Sequence, residues 1–160
     1  MRYSPQRKSL TNPNALSHRK MKNQGIKFWR VWVNNNGESC QSLHSLVGHT
    51  QSVFAEGAAP IWSAVHYNDI AKLVTLILMP GEIGEWHENP MPQWIIPLRG
   101  RWSVETMDGV KVEMGPGDIS FGGDQGTNNK QGHRSWAVGE TPAELLLIQV
   151  KGPPPWNPWV

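Results

Sequence analysis

Short runs of hydrophobic and β-branched residues, separated by turn-forming residues, recur along the chain from residue 26 onward. The runs with the residue content of strands are IKFWRVWV, SCQSLHSLVG, SAVHYN, KLVTLILM, EWHEN, QWIIPL, RWSVETM, VKVEM, ISF, HRSWAV and AELLLIQV. None of them shows the spacing of apolar residues that is typical of an amphipathic helix. The pattern predicts an all-β protein, built as an antiparallel sandwich or a closed barrel.

The residues between these runs predict where the chain turns. Asp108-Gly109 lies between RWSVETM and VKVEM and predicts a tight hairpin, and the sequence from Gly115 to Asp118 predicts a second turn before ISF. Pro90-Met91-Pro92 separates EWHEN from QWIIPL, and a loop rich in Gly and Asn covers residues 122–132. Strands joined in this way form one domain, which we expect over residues 26–151.

Composition and charge exclude several classes of protein. The single cysteine, Cys40, cannot form an internal disulfide, which is typical of a reducing compartment. Residues 1–20 carry five basic and no acidic side chains, so the other residues carry ten basic against thirteen acidic ones, a balance of −3. A mildly acidic folded part argues against a nucleic-acid partner, and no apolar run is long enough to predict a membrane span.

The two ends of the chain differ from its middle. We expect residues 1–25 to be a disordered basic extension and residues 152–160 to be a Pro/Trp-rich tail. Met21 is a possible alternative start of translation. The sequence lacks the apolar segment of a signal peptide, so a cytoplasmic location is expected, although import into an organelle through residues 1–20 is an alternative.

Polar residues are concentrated on one predicted face between Gly81 and Gly100. If EWHEN is a strand, the period of two places Glu85, His87 and Asn89 on the same face. Gln93 begins the next strand. Buried polar groups need partners, and a metal ion or a polar ligand would provide them.

The intervals between these residues resemble the first motif of the cupins. That motif is Gly, five residues, His-x-His, three residues, Glu, six residues and Gly, and Asn89 and Gln93 stand at its second His and its Glu. The resemblance covers about residues 73–150, and His133 follows Gly117-Asp118 in the role of the second motif's His. Asp124 and the pair Gly132-His133 are similar to a subgroup that has Gln at the Glu position. The resemblance implies a small cupin-type double-stranded β-helix, also called a jelly-roll barrel.

The resemblance also implies a site inside the barrel. One divalent ion (Fe, Mn, Ni or Zn) would be held by His87, Gln93 and His133. Glu85 and Asp124 are the candidate catalytic carboxylates, and Asn89, Trp94 and Trp102 are expected in the substrate pocket. Each Trp could instead pack in the core or at an interface.

Two functions from different classes follow from this site. The first is a metal-dependent enzyme acting on a small metabolite, by dioxygenase-like oxidation or by Lewis-acid isomerase or lyase chemistry. The alternative is a non-catalytic binding or sensor protein without metal, in which the same polar residues bond to each other and to a ligand. Small cupins commonly form dimers, so a homodimer is expected.

Overall fold

The computed structural model describes residues 25–53, 55–67 and 69–152. Its contacts divide the chain into two compact units. One comprises residues 1–26 and 47–64, and its described part holds a short antiparallel hairpin of β3 (Thr50–Ser52) and β4 (Ile61–Ser63). The other comprises residues 27–46 and 65–160 and contains every residue of the candidate site.

The second unit contains a six-stranded and a three-stranded sheet, and the prediction of an all-β fold is confirmed. The large sheet has the order β2-β1-β9-β6-β11-β5 and the small sheet has the order β10-β7-β8. The strands are β1 (Ile26–Val33), β2 (Ser39–Leu46), β5 (Ile70–Leu78), β6 (Gln93–Arg99), β7 (Arg101–Thr106), β8 (Lys111–Met114), β9 (Ser120–Gly123), β10 (His133–Val138) and β11 (Ala143–Val150).

The strands pair mainly in antiparallel fashion. β11 lies between β5 and β6, and β7 lies between β8 and β10, with every one of these pairs antiparallel. β1 and β9 form a parallel pair. The hairpin between β7 and β8 turns at Asp108-Gly109 as predicted, with Gly109 at a φ of 82°, a conformation that glycine adopts at little cost.

The main core lies between the two sheets. Buried side chains of the large sheet, such as Ile95 and Leu145, pack against Trp102, Val104 and Met114 of the small sheet. The alternating burial along β11 produces this arrangement, because every second residue from Ala143 to Gln149 is buried. Two facing sheets around one core are what the jelly-roll prediction requires.

A second apolar cluster is built on β1, β6, β9 and β11. It contains Phe28, Trp94, Phe121 and Val150, with Tyr67 packed against them. The Trp94 ring lies 5.3 Å from that of Phe28 and 4.8 Å from that of Phe121, both edge to face. Neighbouring residues in a strand face opposite sides, so β6 contributes Trp94 to this cluster and Gln93 and Ile95 to the other face.

Two predicted strands are wrong. Residues 64–67 of SAVHYN form no strand. Residues 84–92, which include EWHEN, are irregular and touch β10 through the isolated bridge between His87 and His133, next to a similar bridge between Ile83 and Trp136. The period of two therefore does not hold across Glu85, His87 and Asn89.

The predictions about residues 1–25 and 152–160 concern segments that, apart from residues 25 and 152, lie outside the described residues, as does Met21. Within the described ranges, no helix is long and apolar enough to cross a membrane.

Candidate functional site

The structure brings the side chains of His87 and His133 together. Their backbones bridge through two hydrogen bonds, from the His87 amide to the His133 carbonyl at 2.8 Å and in the reverse direction at 2.9 Å. The centroids of the two imidazole rings are 4.7 Å apart. Gly132 allows this approach, because its φ is 60° and a Cβ atom there would lie closer than 3.0 Å to the His87 carbonyl oxygen.

Each imidazole has its Nδ1 atom fixed by an acceptor. His87 Nδ1 lies 2.7 Å from the Glu85 carbonyl oxygen, and His133 Nδ1 lies 2.6 Å from Asp124 Oδ2. A carbonyl oxygen and an ionised carboxylate only accept hydrogen bonds, so both Nδ1 atoms carry the hydrogen. The Nε2 atoms are therefore the lone-pair atoms of both rings.

Asp124 is fully buried between His133 and Asn89. Its Oδ1 atom accepts bonds from the Asn89 backbone amide at 3.1 Å and from Asn89 Nδ2 at 2.7 Å. Burial acts to raise the pKa of this carboxyl, but the hydrogen bond and electrostatic attraction from His133 and the bonds from Asn89 outweigh it and lower the pKa below its usual value. Asp124 is thus the negative charge of the site, and both of its oxygen atoms are engaged.

A chain of amide side chains continues from Asn89 into the large sheet. Gln93 Nε2 donates to Asn89 Oδ1 at 2.5 Å, and Gln149 Nε2 donates to Gln93 Oε1 at 3.0 Å. All three side chains are buried. Gln93 faces Gln149 on one side and Gly122 on the other in the strand register, and a Cβ atom at Gly122 would lie closer than 3.0 Å to the Asn89 amide group.

Glu88 holds the loop that carries Asp124. One of its carboxylate oxygens, Oε1, accepts hydrogen bonds from the Gly126 amide at 3.0 Å and from both the amide and the hydroxyl of Thr127 at 2.7 Å. The Thr127 hydroxyl in turn accepts a bond from the Gly132 amide at 2.8 Å. These bonds connect residues 126 and 127 to the segment around His87, and Thr127 in turn connects them to Gly132 at the end of the loop.

A cavity of about 290 Å³ opens beside the two histidines. Its polar wall includes His87, Asn89, Gln93, His133 and Ser135. Its apolar wall comes from both sheets and includes Leu76, Leu78, Ile95, Trp102, Leu145 and Leu147. A volume of this size is at the lower end for small-molecule sites, and it places a polar cluster at one side of an otherwise apolar space.

The two tryptophans expected in the pocket lie in different places. Trp102 lines the cavity and is 3% exposed, and its Nε1 atom is buried without a hydrogen-bond acceptor among the residues that the structure describes. Trp94 is in the aromatic cluster with Phe28 and Phe121 and is not among the residues that line the cavity. A buried indole N–H normally has a partner, and that of Trp102 has none within the described residues.

The two candidate catalytic carboxylates are also separated. Asp124 lies behind His133, whereas the side chain of Glu85 is exposed and does not line the cavity. The carboxylate side chain on the cavity wall is that of Glu82, which the sequence did not single out. Glu82 lies within the Gly81–Gly100 motif, but no rule of spacing separates it from Glu85.

Gln149 was also missed, although the sequence contains a signal for it. Ala143, Leu145 and Leu147 alternate along AELLLIQV, and the next residue of that series is Gln149. A polar side chain at an inward position of an apolar strand requires a buried partner. The structure supplies Gln93 as that partner, at the directly paired position of β6.

Comparison with known proteins identifies the family. Residues 74–149 match the family model described as a cupin domain. No curated protein matches the chain. Among solved structures, a cupin domain from Bordetella pertussis is similar at 20% identity, over 66% of this chain and 95% of that one, with a TM-score of 0.41.

Two further solved structures are more distant in sequence. A protein from Neisseria meningitidis is 14% identical over 56% of this chain and 89% of its own, with a TM-score of 0.38. A ribosomal oxygenase from Escherichia coli is 15% identical over 90% of this chain and 44% of its own, also with a TM-score of 0.38. The match shows that residues 74–149, which lie in an all-β jelly-roll fold, form a domain of the cupin superfamily.

Proposed function

We propose that this cupin is a metal-dependent enzyme that acts on a small molecule bound in the cavity beside His87 and His133. One observation supports this most strongly. Two imidazoles with ring centroids 4.7 Å apart both have Nδ1 hydrogen-bonded, to a carbonyl oxygen and to a carboxylate, at the wall of the same cavity. Metal-binding histidines typically have their second nitrogen hydrogen-bonded in this way.

The residues present fit a divalent ion of the first transition row. Neutral imidazole suits iron, manganese, nickel and zinc. Gln93 would add an amide oxygen, since Gln149 uses one of the two lone pairs of Oε1 and the other can bind an ion. When bound, the ion would supply Lewis acidity for isomerase or lyase chemistry, and a redox-active ion would support dioxygenase-like oxidation.

The protein side chains orient the reaction and transfer protons. Asp124 keeps His133 with Nε2 free, and we assign proton transfer to Glu82 because it is the acidic residue among those that line the cavity, while both oxygens of Asp124 are engaged. The apolar wall excludes water and favours a compact, mostly apolar ligand.

A metal-free binding protein is the second candidate, and two observations favour it. The amides of Asn89 and Gln93 already have protein partners on both of their polar atoms. In addition, the described ranges contain no group of three or more His, Cys, Asp or Glu side chains that could hold an ion. In this case the Nε2 atoms of the two histidines would accept hydrogen bonds from the ligand directly.

Elemental analysis distinguishes the two candidates. We expect about one divalent ion per chain after purification in the presence of first-row metals, and a loss of at least tenfold in affinity in His87→Ala and His133→Ala. His49→Ala is the matched control, because His49 lies in the other unit, and it should retain the ion. A wild-type protein that holds no ion after metal loading, with ligand binding unaffected by a chelator, would establish the metal-free candidate.

A further inference from the structure

The hydrogen bonds that connect the large sheet to His133 have a fixed direction. The carboxylate of Asp124 can only accept, so both the backbone and the side-chain nitrogens of Asn89 must point toward it. The side-chain oxygen of Asn89, Oδ1, is consequently turned toward position 93. The side chain at position 93 must then donate, and Gln93 does so through Nε2 at 2.5 Å.

The hydrogen bonds beyond Asn89 keep the same donor-to-acceptor direction. Because Gln93 turns its nitrogen toward Asn89, its oxygen faces Gln149, which donates at 3.0 Å. We define the relay as Gln149, Gln93, Asn89 and Asp124, with His133 donating to its acidic end. No relay side chain is more than 9% exposed, so a missing partner leaves a largely buried polar atom unpaired.

We propose that this relay makes Gln93 a positioning residue that must be an amide, and that it places the negative charge of the site on Asp124. A glutamate at position 93 would direct a carboxylate oxygen at the side-chain oxygen of Asn89, Oδ1, and two acceptors would then face each other. Asn89 cannot rotate its amide in response, because both of its nitrogens are held by Asp124. The cupin motif has a Glu at position 93, which would carry a negative charge there. In this chain the negative charge lies on Asp124 instead, and the imidazole of His133 separates it from the cavity.

The inference rests on the proposed function only in that the Nε2 atom of His133 is the atom that acts on the ion or ligand. A carboxylate that accepts from Nδ1 fixes the tautomer of the imidazole and its orientation. The relay in turn holds Asp124 through Asn89. A change at position 93 is therefore expected to affect His133 without contacting it.

The first test compares Gln93→Glu with Gln51→Glu, which makes the same chemical change at an exposed position. In metal-free protein, Gln93→Glu should lower the melting temperature by about 5 °C or more relative to Gln51→Glu, because buried acceptors face each other. Its affinity for Zn²⁺ should not exceed that of the wild type. The proposal would be overturned by a Gln93→Glu variant that has the melting temperature of the wild type and binds Zn²⁺ at least tenfold more tightly.

The second test reads the tautomer of His133 directly. In Asp124→Asn the new amide nitrogen can donate to Nδ1, so we expect the imidazole nitrogen NMR shifts to show the hydrogen moved to Nε2, with a 10- to 100-fold loss of Zn²⁺ affinity. Asp69→Asn makes the same change at an exposed position, and it should leave the His133 nitrogen shifts and the Zn²⁺ affinity unaltered. A His133 that keeps its hydrogen on Nδ1 in Asp124→Asn would refute the role of Asp124.

These readouts separate this inference from the proposed function. The melting temperature and the His133 tautomer are measured without metal. If wild-type protein binds no ion but Gln93→Glu shows the expected melting temperature and Asp124→Asn the expected His133 tautomer, the relay stands and the metal-dependent function fails.

Discussion

Gly122→Ala tests whether close packing behind the site matters as the structure indicates. Gly122 lies on β9 opposite Gln93, and its φ is not in the left-handed region, so an alanine meets no backbone penalty there. The added methyl would lie closer than 3.0 Å to the amide group of Asn89. Since Asn89 is buried and held by Asp124 through two bonds, it can move only by breaking them.

The expected cost follows from the bonds that are lost. The side-chain bond from Asn89 to a carboxylate is worth about 1.5–3 kcal/mol and the neutral bond from Gln93 about 1 kcal/mol. Alanine recovers up to about 1 kcal/mol by restricting the unfolded chain. We therefore expect the free energy of unfolding to fall by about 2–3 kcal/mol, which lowers the melting temperature by about 5–10 °C for a chain of this size.

Urea unfolding followed by tryptophan fluorescence measures this difference. Gly115→Ala is the matched control, since it makes the same change at a buried glycine where the nearest atom to the new Cβ, the Arg101 Nη1 atom, is at an ordinary 3.5 Å. If the free energies of unfolding of Gly122→Ala and Gly115→Ala differ by less than about 0.5 kcal/mol, Asn89 is not held as described. A contact as tight as the one at Gly122 costs more than that when nothing can move to relieve it.

Three further predictions concern other parts of the second unit. Glu105 accepts a hydrogen bond from Arg134, and this bond lowers the pKa of the Glu105 carboxyl. Glu105→Gln should therefore destabilise the protein at pH 7. The difference in unfolding free energy between the wild type and this variant should shrink as the pH falls through the lowered pKa. Burial raises the pKa of Cys40 to about 11, so iodoacetamide should modify the folded protein at pH 7.5 at least tenfold more slowly than the urea-unfolded chain; equal rates would contradict this. Trp102→Phe removes a donor that has no acceptor within the described residues, so the free energy of unfolding of ligand-free protein should fall by no more than about 2 kcal/mol, the packing lost with the smaller ring; a loss above about 3 kcal/mol would show that the N–H is satisfied.

The strands were predicted well where turn residues punctuate them. The predicted runs HRSWAV and AELLLIQV coincide with β10 and β11, and Asp108-Gly109 forms the expected hairpin. EWHEN was predicted wrongly because alternation shows only that a segment can be extended. Whether such a segment joins a ladder depends on partners far away in sequence, and here His87 meets β10 through a single bridge.

The candidate site was partly readable from the sequence. The family spacing singled out His87, Gln93 and His133, and the structure places all three on one cavity wall. Spacing alone could not give the partners of Gln93, because which polar atoms meet inside a barrel depends on strand register. β11 brings Gln149 opposite Gln93 only through the pairing of residues 56 apart in the chain.

The edge position of β5 has a consequence for how fast ligands exchange. Leu76 and Leu78 of this strand form part of the cavity wall, and within the described sheet β5 is hydrogen-bonded to a neighbour on one side only. Edge strands open locally at a lower free energy than the whole domain unfolds. Hydrogen exchange at the β5 amides and the dissociation rate of a bound ligand should therefore rise and fall together when β5 is altered, even if the polar wall and its affinity for the ligand's polar group stay the same.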